Sequence, residues 1–270
     1  MRILERQGER IAYQVFGEGE AVVLGHSLLF DGRMWEEVAP ALASRHRVLN
    51  VDARGHGGST ATRSFTLEDL ADDWRAILDR EKIDRAVLVG LSMGGMTAMR
   101  LALEAPDRVS GLALLDTSAD PEPWDKRLQY LAMAEVTRRI GYVSPIIGRV
   151  SRVMFGPTTH AARPALVRES MTRILQNDRR QLYHAARAVF SRGPVRHRLS
   201  ALRCPAIVVV GAEDAATPPF RARRIADAMG GAPVHVLDGS GHITALEAAP
   251  ALLELLLPFI ASAMQRSRTS

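Results

Sequence analysis

The 270-residue chain has one cysteine, two lysines, an aromatic share of 5% and no long hydrophobic run. Each scarcity narrows the possibilities. Cys204 has no partner for an internal disulfide and no Cys-centred motif around it. It reads as a buried structural thiol ahead of Pro205, at the start of a strand. No apolar stretch reaches the ~18 to 20 residues that a membrane span needs. The opening Met1-Arg2-Ile3-Leu4-Glu5 lacks the unbroken apolar segment of a signal peptide, so a cytoplasmic protein is the simplest expectation. HExxH, paired CxxC and Walker motifs are missing, and no metal, nucleotide or other cofactor is expected. No nucleic-acid motif appears, nor any interleaving of aromatic with basic residues. DNA, RNA and membranes are therefore not the expected partners.

What charge there is lies unevenly. Residues 118–198 hold fifteen basic side chains (Lys126 and fourteen arginines) against six acidic ones, Asp120, Glu122, Asp125, Glu135, Glu169 and Asp178. That is +9 locally, leaving −4 for the rest of a chain whose formal charge is +5. The arginine bias fits a genome-wide preference, and a solvated basic surface is expected rather than a recognition patch. An attraction for anionic substrates is the other reading.

Apolar strand-like runs recur at Ala21–Leu24, Arg47–Val51, Ala86–Val89, Val109–Leu115, Ala206–Val210 and Val234–Leu237. A hairpin turning at Gln7-Gly8 precedes them. Helical patterns fall between at Arg33–Ala43, Leu67–Arg80, Met96–Glu104, Phe220–Met229 and Ala245–Met264, and a polar tail follows at Gln265–Ser270. Alternation of this kind predicts a mostly parallel sheet covered on both faces by helices. The rhythm breaks once, over 118–198, where only helical stretches such as Ala165–Gln176 and Arg180–Phe190 appear. The expected organisation is an α/β core, 1–117 and 199–270, with a helical cap at 118–198 over the sheet edge where open α/β folds bind ligands.

The most informative segment is Gly90-Leu91-Ser92-Met93-Gly94. It is G-x-S-x-G placed after a strand and before a helix, the one context in which the motif carries chemistry. Gly90 and Gly94 remove the side chains that would collide around so tight a turn, leaving the Ser92 hydroxyl raised above the sheet. The helix behind it directs its N-terminal amides at the same spot.

A nucleophilic serine needs a base, a group that orients the base, and donors for an oxyanion. Of eight histidines, His242 stands after the last strand, with Gly239 and Gly241 freeing its loop to aim the ring at the sheet centre. His26 is the next to consider. His235 reads as structural; His46, His184 and His197 read as surface or helix-end residues. Asp214 leaves the strand Ala206–Val210, and the order Ser92, Asp214, His242 is one in which such triads follow successive strands. Asp116, after Val109–Leu115, is the main rival acid, and Glu213 a weaker one. The oxyanion donors are expected to be the backbone N–H of Met93, just after the nucleophile, and of Leu28, in the loop after Ala21–Leu24.

Together these segments resemble the α/β-hydrolase fold superfamily over nearly the whole chain. The matching pieces are Gly25–Trp35, Asp52-Ala-Arg-Gly-His-Gly-Gly-Ser59, Gly90–Gly95, Gly211–Pro219 and Gly239–His242. His26-Ser-Leu-Leu-Phe-Asp-Gly-Arg-Met-Trp35 and Gly90-Leu-Ser-Met-Gly-Gly-Met96 are similar to the 3-oxoadipate enol-lactonase branch and its esterase relatives, where Ser27 in place of the commoner glycine is at home. Arg54, His56 and Ser59 belong to a family motif and read as a structural polar network. Trp35, Trp74 and Trp124 read as packing, with pocket lining left open for Trp124.

Serine at position 92 excludes the dehalogenases and epoxide hydrolases of this fold, which carry aspartate there. The first loop lacks both the Gly-Pro-Gly of ring-fission C–C hydrolases and the His-Gly-Gly-Pro-Gly of proline iminopeptidases. The resemblance implies a serine esterase or lactonase acting on a small-molecule ester or lactone. A cofactor-free perhydrolase or haloperoxidase-type activity would use the same triad. A ligand sensor of hydrolase fold, acting on a protein partner, is the reading from another class.

Overall fold

A computed structural model describes residues 1–268. Eight strands form one sheet: β1 (Arg2–Arg6), β2 (Glu9–Phe16), β3 (Ala21–Gly25), β4 (Arg47–Val51), β5 (Ala86–Leu91), β6 (Val109–Leu115), β7 (Ala206–Gly211) and β8 (Val234–Leu237). Their order is β1-β2-β4-β3-β5-β6-β7-β8. The hairpin β1–β2 and the pairing of β2 with β4 are antiparallel; every later pairing is parallel. From β3 the chain moves to one side for β4 and then to the other for β5. The crevice at the carboxyl ends of β3 and β5 is therefore a topological switch point, where sheets of this kind bind ligands.

The helices are α1 (Ala39–Ala43), α2 (Leu67–Arg80), α3 (Met93–Glu104), α4 (Trp124–Ile140), α5 (Ser144–Met154), α6 (Pro157–Ala162), α7 (Pro164–Leu175), α8 (Arg179–Phe190), α9 (Pro219–Ala228), α10 (Thr244–Glu247) and α11 (Ala249–Arg268). Successive strand residues point to opposite faces. Along β3, Val22 and Leu24 join a core with Leu252, Leu256 and Ile260 of α11, whereas Val23 joins Trp74 and Ile77 of α2 and Met99 of α3. Both faces of the sheet are thus covered. Local signals agree: Thr66 and Asp69 close a reciprocal capping box at the start of α2.

Helices α4 to α8 lie between β6 and β7 in the chain, within the segment expected to be the cap. Helix α8 packs Ala185, Ala186, Ala188 and Val189 against Leu28, Phe65, Met93 and Met96 of the core. Residues 118–122 and 192–196, where the insertion leaves and rejoins the core, are tied by ion pairs. Arg192 and Arg221 hold Glu122 at 2.9 and 3.0 Å, and Arg196 and Arg224 hold Asp120 at 2.9 and 3.2 Å.

Three expected helices have bounds that differ by more than one residue. Arg33–Ala43 divides into a 3-10 turn, Gly32–Trp35, and α1, which begins at the residue before Pro40. Ala245–Met264 divides at Ala248, just ahead of Pro250. Helix α3 starts directly after Ser92, three residues before the expected Met96. Helix α11 runs on through Arg268, into the expected polar tail, whose last two residues lie outside the described ones. No described helix is long and apolar enough to cross a membrane.

Candidate active site

Ser92 sits at the end of β5 with φ 54° and ψ −110°, a left-handed conformation for a residue with a side chain. Such strain costs on the order of 1–3 kcal/mol and persists only where the surroundings enforce it. Here the Ser92 N–H donates to the Leu115 carbonyl at 2.8 Å, and Thr117 Oγ1 donates to the Ser92 carbonyl at 2.7 Å. The flanking glycines are obligatory. A Cβ on Gly90 would lie 2.4 Å from the Gly94 backbone, and one on Gly94 would lie 2.1 Å from the Gly25 carbonyl oxygen.

The structure brings Ser92, His242 and Asp214 into one hydrogen-bonded line. His242 Nε2 is 2.9 Å from Ser92 Oγ, and His242 Nδ1 is 2.9 Å from Asp214 Oδ2. A carboxylate accepts only, so Nδ1 carries the ring proton and Nε2 keeps the lone pair facing the hydroxyl. All three are buried, with Ser92 7% exposed. Burial works against a charged imidazole, yet the charge and hydrogen bond of Asp214 outweigh it and hold the His242 pKa above its ordinary 6.5. For Asp214 the balance is the mirror image. Burial pushes it up, but the partner imidazole and Thr217 leave it below the ordinary carboxylate range.

Thr217 is a site residue that the sequence did not single out. Its hydroxyl donates to Asp214 Oδ2 at 2.8 Å, while its N–H and that of Ala216 donate to Oδ1, each at 2.8 Å. An aspartate accepting from the amides two and three residues on is a recurrent turn. The signal was available in Asp214-Ala-Ala-Thr217-Pro.

The rivals fall elsewhere. Asp116 is fully buried near the triad, but its oxygens accept from Gly211 N–H at 2.9 Å and from the Thr244 hydroxyl at 2.5 Å, not from the imidazole. Glu213 holds Thr158, at the start of α6. His26 has both ring nitrogens engaged, Nε2 accepting from Ala53 N–H at 2.9 Å and Nδ1 facing the Ser27 carbonyl at 2.8 Å. His46 is at a helix end, its N–H donating to the Leu42 carbonyl of α1 at 3.0 Å, and it is buried, which lowers its pKa. The other family-motif residues form a polar network. Arg54 makes a buried, two-pronged pair with Asp73, and Ser59 bridges the Asp52 carbonyl and the Ala12 N–H.

The loop after β3 lies against the serine turn, because Gly25 and Gly90 are neighbours in the sheet and the Gly94 N–H donates to the His26 carbonyl at 3.1 Å. The Leu29 N–H is likewise taken, by His56 Nε2 at 3.1 Å. The amides of Met93 and Leu28, the expected oxyanion donors, are not among these engaged groups. Met93 opens α3, where N–H groups have no intrahelical partner. Leu28 lines the same cavity as Ser92.

That cavity, of about 160 Å³, is roofed by the insertion and reaches Ser92 and His242. Its wall is largely apolar, drawn from residues such as Met96, Met133, Val150, Ile174 and Val189. Four charged residues contribute. Glu122 and Arg192 neutralise one another, Arg149 donates to Gln129 Oε1 at 2.8 Å and lies over the Tyr130 ring, and Arg179 follows the α7–α8 turn. Trp124 is not part of the wall: it is 80% exposed on the outer face of α4. Among the described residues no cluster of His, Cys, Asp or Glu is arranged to hold a metal ion.

A family model described as alpha/beta hydrolase fold matches residues 20–249. Among curated relatives, a 3-oxoadipate enol-lactonase of Acinetobacter baylyi is 28% identical over 220 residues, 80% of each chain. Among solved structures, a thermophilic esterase from Thermogutta terrifontis superposes with a TM-score of 0.89 at 28% identity, covering 94% of both chains. The enol-lactonase from Burkholderia xenovorans gives the same TM-score at 29% identity, covering 96% of this chain and all of its own.

Proposed function

The chain belongs to the alpha/beta hydrolase fold family, and within it we propose a serine hydrolase that cleaves esters or lactones of neutral, apolar acyl groups. The observation that carries this reading is the unbroken line from Ser92 Oγ through His242 to Asp214, opening into an apolar cavity. The esterase and enol-lactonase relatives support the reaction class.

In this reading the Ser92 hydroxyl passes its proton to His242 Nε2 as Oγ attacks the acyl carbon. The imidazolium so formed is stabilised by Asp214, which also keeps the ring in the tautomer that accepts at Nε2. Negative charge gathers on the former carbonyl oxygen, and the amides of Met93 and Leu28 bind it; one such donor is commonly worth ~10² to 10³ in rate. Collapse breaks the bond to the alcohol oxygen, which takes the proton from His242. For a lactone that oxygen stays tethered to the acyl group. Water then repeats the sequence on the acyl-enzyme, and the free acid leaves.

The substrate preference follows from the wall. A carboxylate brought beside apolar side chains loses hydration, and of the arginines in the wall Arg192 is already paired with Glu122 and Arg149 is engaged with Gln129 and Tyr130, whereas an alkyl chain gains about 25 cal/mol per Å² of surface removed from water.

A panel of p-nitrophenyl esters of graded chain length beside a set of lactones tests the reaction class. A serine-directed phosphonate should label the protein once, on Ser92, and labelling should fail in His242→Ala. Ser92→Ala should lose on the order of 10⁴ to 10⁶ in kcat with the fold intact. Retention of more than a few per cent of activity would remove Ser92 from the role. Repeated turnover per site also separates an enzyme from a ligand sensor.

A further inference from the structure

Leu29 has φ 76°, a left-handed conformation that a branched aliphatic residue does not adopt unaided. It is the third residue of a tight turn in which Phe30 N–H donates to the Ser27 carbonyl at 3.2 Å. A positive φ at that position is normally supplied by glycine. The Ser27 carbonyl and the Leu28 N–H belong to one planar peptide unit and point in opposite directions. The shape of this turn therefore sets the direction of the Leu28 amide.

Two groups grip Leu29, one from each side. His56 Nε2 accepts its N–H at 3.1 Å, and Asn177 Nδ2 donates to its carbonyl at 2.9 Å. His56 belongs to the core, in the loop after β4. Its Nδ1 faces the Arg54 carbonyl at 3.1 Å, so the ring proton sits there and Nε2 is fixed as an acceptor. Asn177 comes from the turn between α7 and α8, 148 residues away along the chain. The same amide also donates to the Ile174 carbonyl at 3.0 Å, and the Asn177 carbonyl accepts from the Tyr142 hydroxyl at 3.2 Å. Tyr142 lines the cavity. Asn177 thus joins the end of α7 and the cavity wall ahead of α5 to one strained residue beside the serine.

The geometry points to Asn177 as a positioning residue: through the Leu29 carbonyl, the helical insertion holds the turn that presents the Leu28 N–H to the oxyanion. This rests on the hydrolase reading, in which Leu28 is an oxyanion donor. Without Asn177, Leu29 is held on one side only and has a strained φ to relax. The amide one residue earlier then loses its aim. Substrate binding in the ground state does not depend on that aim; stabilisation of the tetrahedral intermediate does.

Asn177→Asp keeps the shape and loses the donor, and Asn177→Ala removes both. Each should lower kcat by about tenfold to a hundredfold, the scale of a misplaced oxyanion donor, with KM changed by less than about twofold. The affinity of a trifluoromethyl ketone, whose Ser92 adduct carries an oxyanion, should fall by the same factor. That of an uncharged alcohol analogue should not. Combined with His56→Gln, the losses should be less than multiplicative, because both side chains hold the same residue, Leu29. A residue that merely braced the insertion would raise KM, weaken the alcohol and leave the ketone's relative affinity untouched. That pattern, or two folded variants with wild-type kcat, overturns the assignment. An active wild type keeps these outcomes separate from failure of the hydrolase reading, which would appear as no turnover and no labelling of Ser92.

Discussion

Thr244 Oγ1 donates to Asp116 Oδ2 at 2.5 Å, two residues beyond His242. With Gly211 N–H on its other oxygen, Asp116 braces the end of β6 against β7 and the histidine loop. Asp214 meets the imidazole itself. Two buried carboxylates near one histidine thus have different work, and their electrostatics divide accordingly. Burial and the neighbouring Asp214 charge push Asp116 well above the ordinary carboxylate range, while Asp214 is held below it.

Asp214→Asn should therefore lower kcat by on the order of 10³ to 10⁴, the scale of losing the correct histidine tautomer. Asp116→Asn should leave kcat within about tenfold and appear mainly as a lower melting temperature, since an amide retains one acceptor for the Gly211 and Thr244 donors. Steady-state kinetics on the two variants decides it. The reverse ranking would move the orienting acid to β6.

The pH profile provides an independent reading of the same pair. His242 must be neutral to accept the Ser92 proton, and its pKa lies above 6.5 because Asp214 outweighs burial. The rate constant kcat/KM should rise with pH through a midpoint above that value. In Asp214→Asn burial is less opposed, so the midpoint of the residual activity should move to lower pH. A midpoint unmoved by the substitution would mean that another group sets the limb.

Much of this site was legible because each piece stands in its own loop. The glycines around Ser92, the loop glycines before His242 and the prolines after Asp214 mark turns whatever lies around them. The insertion was less legible. Helix α4 has Tyr130, Met133 and Ala134 on the cavity side, yet Trp124, Leu128 and Ile140 are exposed on it. With apolar residues on both sides it shows no amphipathic period. Contacts that bring the insertion to the site are longer-range still. The His242 N–H donates to the Met154 carbonyl at 3.1 Å, and a Cβ on Gly241 would lie 2.2 Å from Gly156 N. Nothing local in Phe155-Gly156 marks it as the support of a histidine loop.

His56 gives a stability signature. Burial first, and then the nearby His26, lower its pKa to about 3 against a partial offset from the Arg54 carbonyl and Asp31. The unfolded chain protonates this ring near 6.5 and the folded one does not. Stability from the neutral ring is therefore complete above about pH 6.5 and is lost as pH falls toward 3. His56→Gln should melt lower than wild type at neutral pH, for want of a well-placed acceptor for Leu29. Its melting temperature should nevertheless fall less between about pH 7 and pH 4. Parallel curves for the two proteins would show that His56 titrates in the folded state much as in the unfolded one.

The charge of the insertion bears on substrate choice. Of its fifteen basic residues, Arg149, Arg179 and Arg192 reach the cavity wall. Arg192 is committed to Glu122 and to the Asp120 carbonyl, and burial lowers its pKa without leaving it a free charge for a ligand. Many others form surface pairs, such as Arg138 and Arg139 with Glu135, or Arg173 with Glu36 and Glu169. A neutral acyl ester should consequently give a higher kcat/KM than an isostere ending in a carboxylate. Both should respond weakly to salt, because charges screened over ~8 Å at physiological ionic strength do not steer a ligand into an apolar cavity. Paired measurements at low and high salt discriminate. If Arg149 and Arg179 instead capture an anionic end at the mouth, the carboxylate substrate will be preferred at low salt and lose that preference as salt rises. That result would align this chain's substrate with an anionic lactone and overturn the neutral-acyl reading.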